Sequence, residues 1–74
     1  MFKKETIHYD AEQNQWFVMQ GNRSYCLHCG EYFKLYLGKT ALDCRLELDT
    51  SGWYVILTET KFILHPRAIY VVKM

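Results

Sequence analysis

The chain lacks an excess of either charge, an apolar run long enough for a membrane, and an even set of cysteines. Each shortage removes a class of protein. Lys and Arg number 9 and Asp and Glu 8, a net charge of +1. The balance holds locally: residues 1–40 carry five basic and four acidic groups, residues 41–74 four of each. Nucleic-acid binders ordinarily show a basic excess or a basic stripe, so that class is disfavoured. The longest uninterrupted apolar run is a few residues, far below the roughly 18 that a membrane span requires. The opening Met1-Phe2-Lys3-Lys4-Glu5 has basic residues but no apolar stretch behind them, so no secretion signal is expected. With no export signal, three cysteines read as reduced thiols in a cytoplasm. A second CxxC, a glycine-rich phosphate loop and a nucleophile elbow are missing too, which leaves metal, nucleotide and acyl-transfer chemistry without their usual frames. No repeat, low-complexity tract or linker is legible.

What the chain does have is hydrophobic and aromatic. Half its 74 residues are apolar and 16% are aromatic, too much for a disordered segment. One domain is expected. A domain this short buries only about 60–65% of the surface its unfolded chain exposes, and the aromatics offset that, since each can bury roughly 150–250 Å².

The pattern predicts strands punctuated by turns. Ile7 and Tyr9 alternate with polar neighbours, and Asp10 to Asn14 reads as a hairpin loop. Trp16 to Met19 is a second strand. Gly21-Asn22 is a two-residue hairpin turn, because Gly accepts the positive φ required there. Ser24 to His28 follows. Leu42, Cys44, Leu46 and Leu48 alternate with Asp43, Arg45 and Glu47, the clearest period of two in the chain. Asp49 to Gly52 is a turn, and Trp53 to Leu57 a strand with apolar residues on both faces. Lys61 to His65 runs up to Pro66, which cannot donate to a ladder, and Ile69 to Val72 closes the chain. Glu31 to Leu37 is read as a strand with Phe33, Leu35 and Leu37 inside, although a short helix is the alternative. The expected fold is all-β, a small meander or SH3-like barrel of five to eight short strands over residues 1–74. Leu46, Leu48, Trp53, Val55 and Leu64 are its predicted core.

Leu27-His28-Cys29-Gly30-Glu31, Phe33-x-Leu35, Cys44-Arg45-Leu46-Glu47, Trp53-Tyr54-Val55 and Leu64-His65-Pro66 together resemble a family of short bacterial proteins, the domain of unknown function 5348. The likeness runs from Tyr25 to Tyr70, about two-thirds of the chain. Members of that family look like small proteins of Gram-positive bacteria and their mobile elements. The resemblance implies the extent of the domain and no activity.

Two constellations carry chemistry. Cys26-Leu27-His28-Cys29-Gly30 has the form of a zinc knuckle, with two thiolates on a tight turn and a Gly that lets the backbone curl beneath a metal. A structural zinc needs four ligands, and only Cys44 and His65 remain to complete a Cys26/Cys29/Cys44/His65 set. The competing reading, that these cysteines are small apolar residues, is the expectation, so no metal or cofactor is assigned. The second constellation is aromatic and basic. Alternation turns Tyr32, Lys34, Tyr36 and Arg45 outward, and Tyr beside Arg or Lys anchors protein interfaces or stacks single-stranded nucleic acid. The balanced charge favours a protein partner, or a second copy of the chain, over nucleic acid. The expected function is non-catalytic binding through these four residues, with no membrane role and no enzyme activity.

Overall fold

The computed structural model describes residues 4–74; residues 1–3, which begin the basic N-terminal stretch, lie outside it. Eight antiparallel strands form one sheet, with no helix among the described residues. They are β1 (Glu5–Asp10), β2 (Gln15–Gln20), β3 (Arg23–Cys26), β4 (Tyr32–Leu37), β5 (Thr40–Asp49), β6 (Gly52–Leu57), β7 (Thr60–Ile63) and β8 (Tyr70–Lys73). The all-β expectation holds, and residues 32–37 are a strand.

The strand order is β3-β2-β1-β8-β4-β5-β6-β7. Two meanders, β1 to β3 and β4 to β7, are joined by β8, which inserts between β1 and β4. The alternation of the sequence sets the faces. Ile7, Trp16, Val18, Phe33, Leu35, Cys44, Leu46, Trp53, Val55 and Val72 turn inward and form one core with Leu27, Leu57 and Leu64. The meanders meet across that core. The Tyr70 ring lies 5.7 Å from that of Trp16 and 6.0 Å from that of Phe62. The Trp53 indole N–H donates to Asn14 Oδ1 at 3.0 Å, tying β6 to the β1–β2 loop. β3 and β7 are the two ends of the sheet and do not pair with each other, so the sheet wraps the core without closing into a continuous ladder.

No repeat is legible in the sequence, yet the structure contains one. Adding 37 to a residue number maps β1, β2, β3 and β4 onto β5, β6, β7 and β8, and the strand order reads the same from either end. The central pair Leu35↔Val72 maps onto itself. Phe33↔Cys44 maps onto Tyr70↔Ile7, and Leu35↔Leu42 onto Val72↔Glu5. The loops repeat as well. Leu27 N donates to Trp16 O at 2.8 Å as Leu64 N does to Trp53 O at 3.0 Å, and Glu31 N donates to His28 O as Ala68 N does to His65 O. Each half therefore gives its fourth strand to the other: β4 pairs with β5, and β8 with β1. Only a few identities survive, Trp16/Trp53, Val18/Val55, Leu27/Leu64 and His28/His65 among them. The halves differ at one hairpin. Asp49 pairs with Gly52 across two residues, whereas Asp10 pairs with Gln15 across four. This slides β1 along β2 by two residues, an even shift that keeps every side chain on its face.

Two expected core residues are corrected. Leu48 is 41% exposed and Leu37 is also exposed. Both point to the inner face but end their strands beside a turn, Leu48 at Asp49–Gly52 and Leu37 at the Gly38-Lys39 tip. Alternation fixes the face of a side chain and says nothing of how far along the strand the cover extends. The other predicted core residues, Leu46, Trp53, Val55 and Leu64, are buried.

Candidate interaction surface

β4 and β5 pair in register, and their outward residues form a patch. Tyr32 is the Cα partner of Arg45, Lys34 of Asp43 and Tyr36 of Ala41. All of Tyr32, Lys34, Tyr36 and Arg45 thus lie on one face of two adjacent strands. β8 on the other flank adds Lys73, the Cα partner of Lys34, and Val71. Sequence reasoning missed these two because the chain's last strand inserts beside β4, a long-range pairing with no local signal. Lys4 also joins the patch, its Nζ 4.8 Å from the centre of the Tyr36 ring, a cation–π geometry.

Tyr32 is 72% exposed, the most exposed large apolar side chain among the described residues. It stands between two shallow grooves. One, of about 250 Å³, is lined by Tyr32, Lys34, Asp43, Lys73 and Met74 among others. The second, of about 280 Å³, is lined by Tyr32, Asp43, Arg45, Ile56 and Thr58 with the edge of Cys44. The charges are held in place. Lys34 Nζ donates to Asp43 Oδ1 at 2.8 Å. Arg45 Nε lies 2.6 Å from Glu47 Oε2. The Tyr32 hydroxyl first, and then the Glu47 carboxylate, favour the charged form of the Arg45 guanidinium and raise its pKa. The patch combines flat aromatic area with a guanidinium ion-paired to Glu47, and Lys34 lies opposite Lys73 as well as being paired with Asp43.

The cysteines and histidines are arranged differently. Cys26 and Phe17 are Cα partners on the outer face, and the Cys26 thiol donates to Gln15 Oε1 at 3.3 Å. Cys44 is buried on the inner face. Burial first, and then the nearby Asp43 charge, push its thiol up to about 11, which disfavours the thiolate form. Cys29 is exposed in the turn. Among the described residues no three His, Cys, Asp or Glu side chains are grouped to hold a metal, so Cys26, Cys29, Cys44 and His65 are not brought together. Glu31 Oε1 occupies the knuckle turn instead, accepting from His28 N at 2.9 Å and lying 3.1 Å from His28 Nδ1. At the equivalent turn His65 N donates to the Tyr70 hydroxyl. His8 Nε2 lies 3.1 Å from Thr6 Oγ1.

The sequence profile of the domain of unknown function DUF5348 matches residues 5–74, nearly the whole chain. The chain belongs to this family. The match extends the resemblance of the sequence through the first hairpin and β8. No curated protein matches the chain. A crystal structure of a protein from Ruminococcus gnavus, solved as a structural-genomics target, is similar with a TM-score of 0.74 and 23% identity. The similarity covers 97% of this chain and all of that one. At that identity it shows the fold the family member adopts and no activity. None of the described elements is a helix long and apolar enough to cross a membrane.

Proposed function

We propose that this family member is a small non-catalytic binding module that engages a protein partner through the face bearing Tyr32, Lys34, Tyr36 and Arg45. One observation carries the reading: a 72% exposed tyrosine beside a guanidinium ion-paired with Glu47, with a groove on either side of it. Interfaces draw most of their energy from such aromatic and Arg anchors, and a rigid β-scaffold of SH3-like size serves to present them. Mixed charge around Tyr32 suits a protein surface better than a phosphate backbone, which selects for basic grooves. A cytoplasmic setting accords with three free thiols, one of them exposed.

The test is the double substitution of Tyr36 and Arg45 to Ala. Stability is expected to stay within about 1 kcal/mol, as for surface sites, while capture of partners from the native cell is lost. Full capture by the variant would place binding elsewhere. Binding of single-stranded oligonucleotide that weakens steeply with salt would favour nucleic acid instead.

A further inference from the structure

Three lysines stand in one row on the outer face of the sheet. Lys34 on β4 is the Cα partner of Lys73 on β8. On the other side of β8, Glu5 is the Cα partner of Val72, and one step further along that ladder Lys4 is level with Lys73. Lys4 reaches the same face, with its Nζ over the Tyr36 ring. The row therefore crosses three neighbouring chain segments at the strand spacing of about 5 Å. Like charges directly opposite one another on a sheet are destabilising, and here the opposed pair belongs to β4 and β8, the centre of the strand order. By register, the one carboxylate among the described residues in line with the row is that of Asp43, the Cα partner of Lys34. It pairs with Lys34, but its side chain is 85% exposed, so water screens the pair and the row keeps a positive excess. Glu5 adds nothing to this face, because its pairing with the buried Val72 turns it inward. Lys34 and Lys73 both line the groove of about 250 Å³ beside Tyr32. Along the strands the face then turns apolar. Val71 and Ile69, at alternate positions before Lys73, are 37% and 60% exposed, and Tyr36 lies two residues beyond Lys34.

We infer that the lysine row is the docking site for an acidic segment of the protein partner, one in which a few Asp or Glu side chains are followed by apolar ones. The inference rests on the proposed binding role of this face and names the chemistry it takes. The row sets the sign of the occupant. Carboxylates laid along Lys4, Lys73 and Lys34 relieve the opposition of like charges that the free sheet carries, and charge complementarity of this kind selects partners and speeds their encounter. The neighbours of the row set the kind of occupant. A phosphate backbone is charged at every nucleotide, and one long enough to pass the row would run on to the carboxylates of Asp43 and Glu47 or to the apolar Val71 and Ile69. A peptide can confine its charge to the width of the row and set apolar side chains against Val71 and Tyr36. A second copy laid face to face on this surface would bring the same lysines to the row and be repelled.

Fluorescence anisotropy with the full chain tests this against three labelled probes: a hexapeptide of four Glu followed by two Leu, the same peptide with Gln in place of Glu, and a single-stranded hexanucleotide. The Glu peptide is expected to bind best of the three, and less well as salt rises. The double variant Lys34→Gln, Lys73→Gln should weaken it at least tenfold. The control Lys39→Gln, Arg67→Gln removes the same charge from two turns away from the row and should leave binding intact, with circular dichroism unchanged in both variants. Absence of Glu-peptide binding at millimolar concentration, or equal binding of the Gln peptide, overturns the inference. Equal losses in the two double variants overturn the row as the site, since net charge alone then governs. Tighter binding of the hexanucleotide overturns the acidic peptide in favour of nucleic acid. The Tyr36/Arg45 capture experiment judges the face separately: capture lost in that variant, with no Glu peptide bound by the wild type, overturns the acidic segment and leaves the Tyr32 face standing.

Discussion

Leu46 and Leu48 sit two positions apart on one strand and face the same way, yet Leu46 is fully buried and Leu48 is not. Leu46→Ala is expected to cost about 2–5 kcal/mol, the range for a truncated core leucine. Leu48→Ala should cost under about 1 kcal/mol, as rim sites do. Urea unfolding of the two variants separates them, and equal costs would mean that the end of β5 is covered. Cys44 supplies a pH signature. Its folded pKa of about 11 lies above the unfolded thiol value of 9.0. Between those values the unfolded chain has released the proton and the folded chain has kept it, so this group's effect on stability is absent below about pH 9 and grows more unfavourable as pH rises towards 11. Wild type should therefore lose more stability over that window than Cys44→Ala does. Parallel losses would show that another group governs the alkaline limb. Cys29, exposed in its turn, should react with a thiol reagent in the native protein, and Cys44 only on unfolding.

At the scale of elements, the strands and tight turns were legible because period-two alternation and turn chemistry are local. Gly21-Asn22 and Asp49–Gly52 announce their hairpins, and Asp49 Oδ1 does accept from Ser51 N at 2.7 Å. The candidate site was half legible for the same reason: Tyr32, Lys34, Tyr36 and Arg45 share a face by alternation, and β4 and β5 are neighbours because only two residues join them. Lys73, Val71 and Ile69 were not legible, since nothing near β8 says that it will lie between β1 and β4. Asn14 shows how one loop residue secures such long-range order. It adopts a φ of +52°, which Asn tolerates better than most residues, and its Oδ1 accepts from both the Tyr9 hydroxyl at 2.6 Å and the Trp53 indole at 3.0 Å. Asn14→Ala is expected to cost about 1–3 kcal/mol, the consequence of leaving a part-buried donor without its acceptor with some backbone strain added. The Trp53 indole proton should exchange faster in the variant. Asn14→Gly relieves the strain and not the lost acceptor, so it should recover only part of the stability. Full recovery would assign the residue's role to its backbone alone.

For the whole molecule, the internal twofold relation explains why β8 is placed where it is. If two 37-residue halves each contribute three strands to their own meander and the fourth to the other's, the central β4–β8 pair and the mirrored strand order follow. The sequence hides this because the equivalence is carried by shape and burial rather than identity. Phe33/Tyr70 and Leu35/Val72 keep apolar character, Ile7/Cys44 keeps only the inward position, and the surface residues have diverged. The relation makes a prediction about connectivity. The Gly38-Lys39 turn joins the halves, and its counterpart across the twofold lies where residue 74 comes close to residue 5, since Met74 N donates to Glu5 Oε1 at 3.4 Å. A permuted chain that starts at Gly38, runs to Met74 and continues through a short flexible linker into the first half should therefore recover the same sheet. Exchanging the order of equivalent halves leaves every strand pair available and breaks only a hairpin turn. The loss is expected to be about 1–2 kcal/mol, chiefly from the altered loop closures. A permutant opened at Gly21-Asn22 cuts within one half and detaches the edge strand β3 from its tight turn, so it should lose more. Two-dimensional NMR spectra and urea midpoints of the two permutants provide the comparison. Failure of the Gly38 permutant to fold, with the Gly21 permutant intact, would show that the halves are alike in strand order but not interchangeable in the order in which the chain connects them.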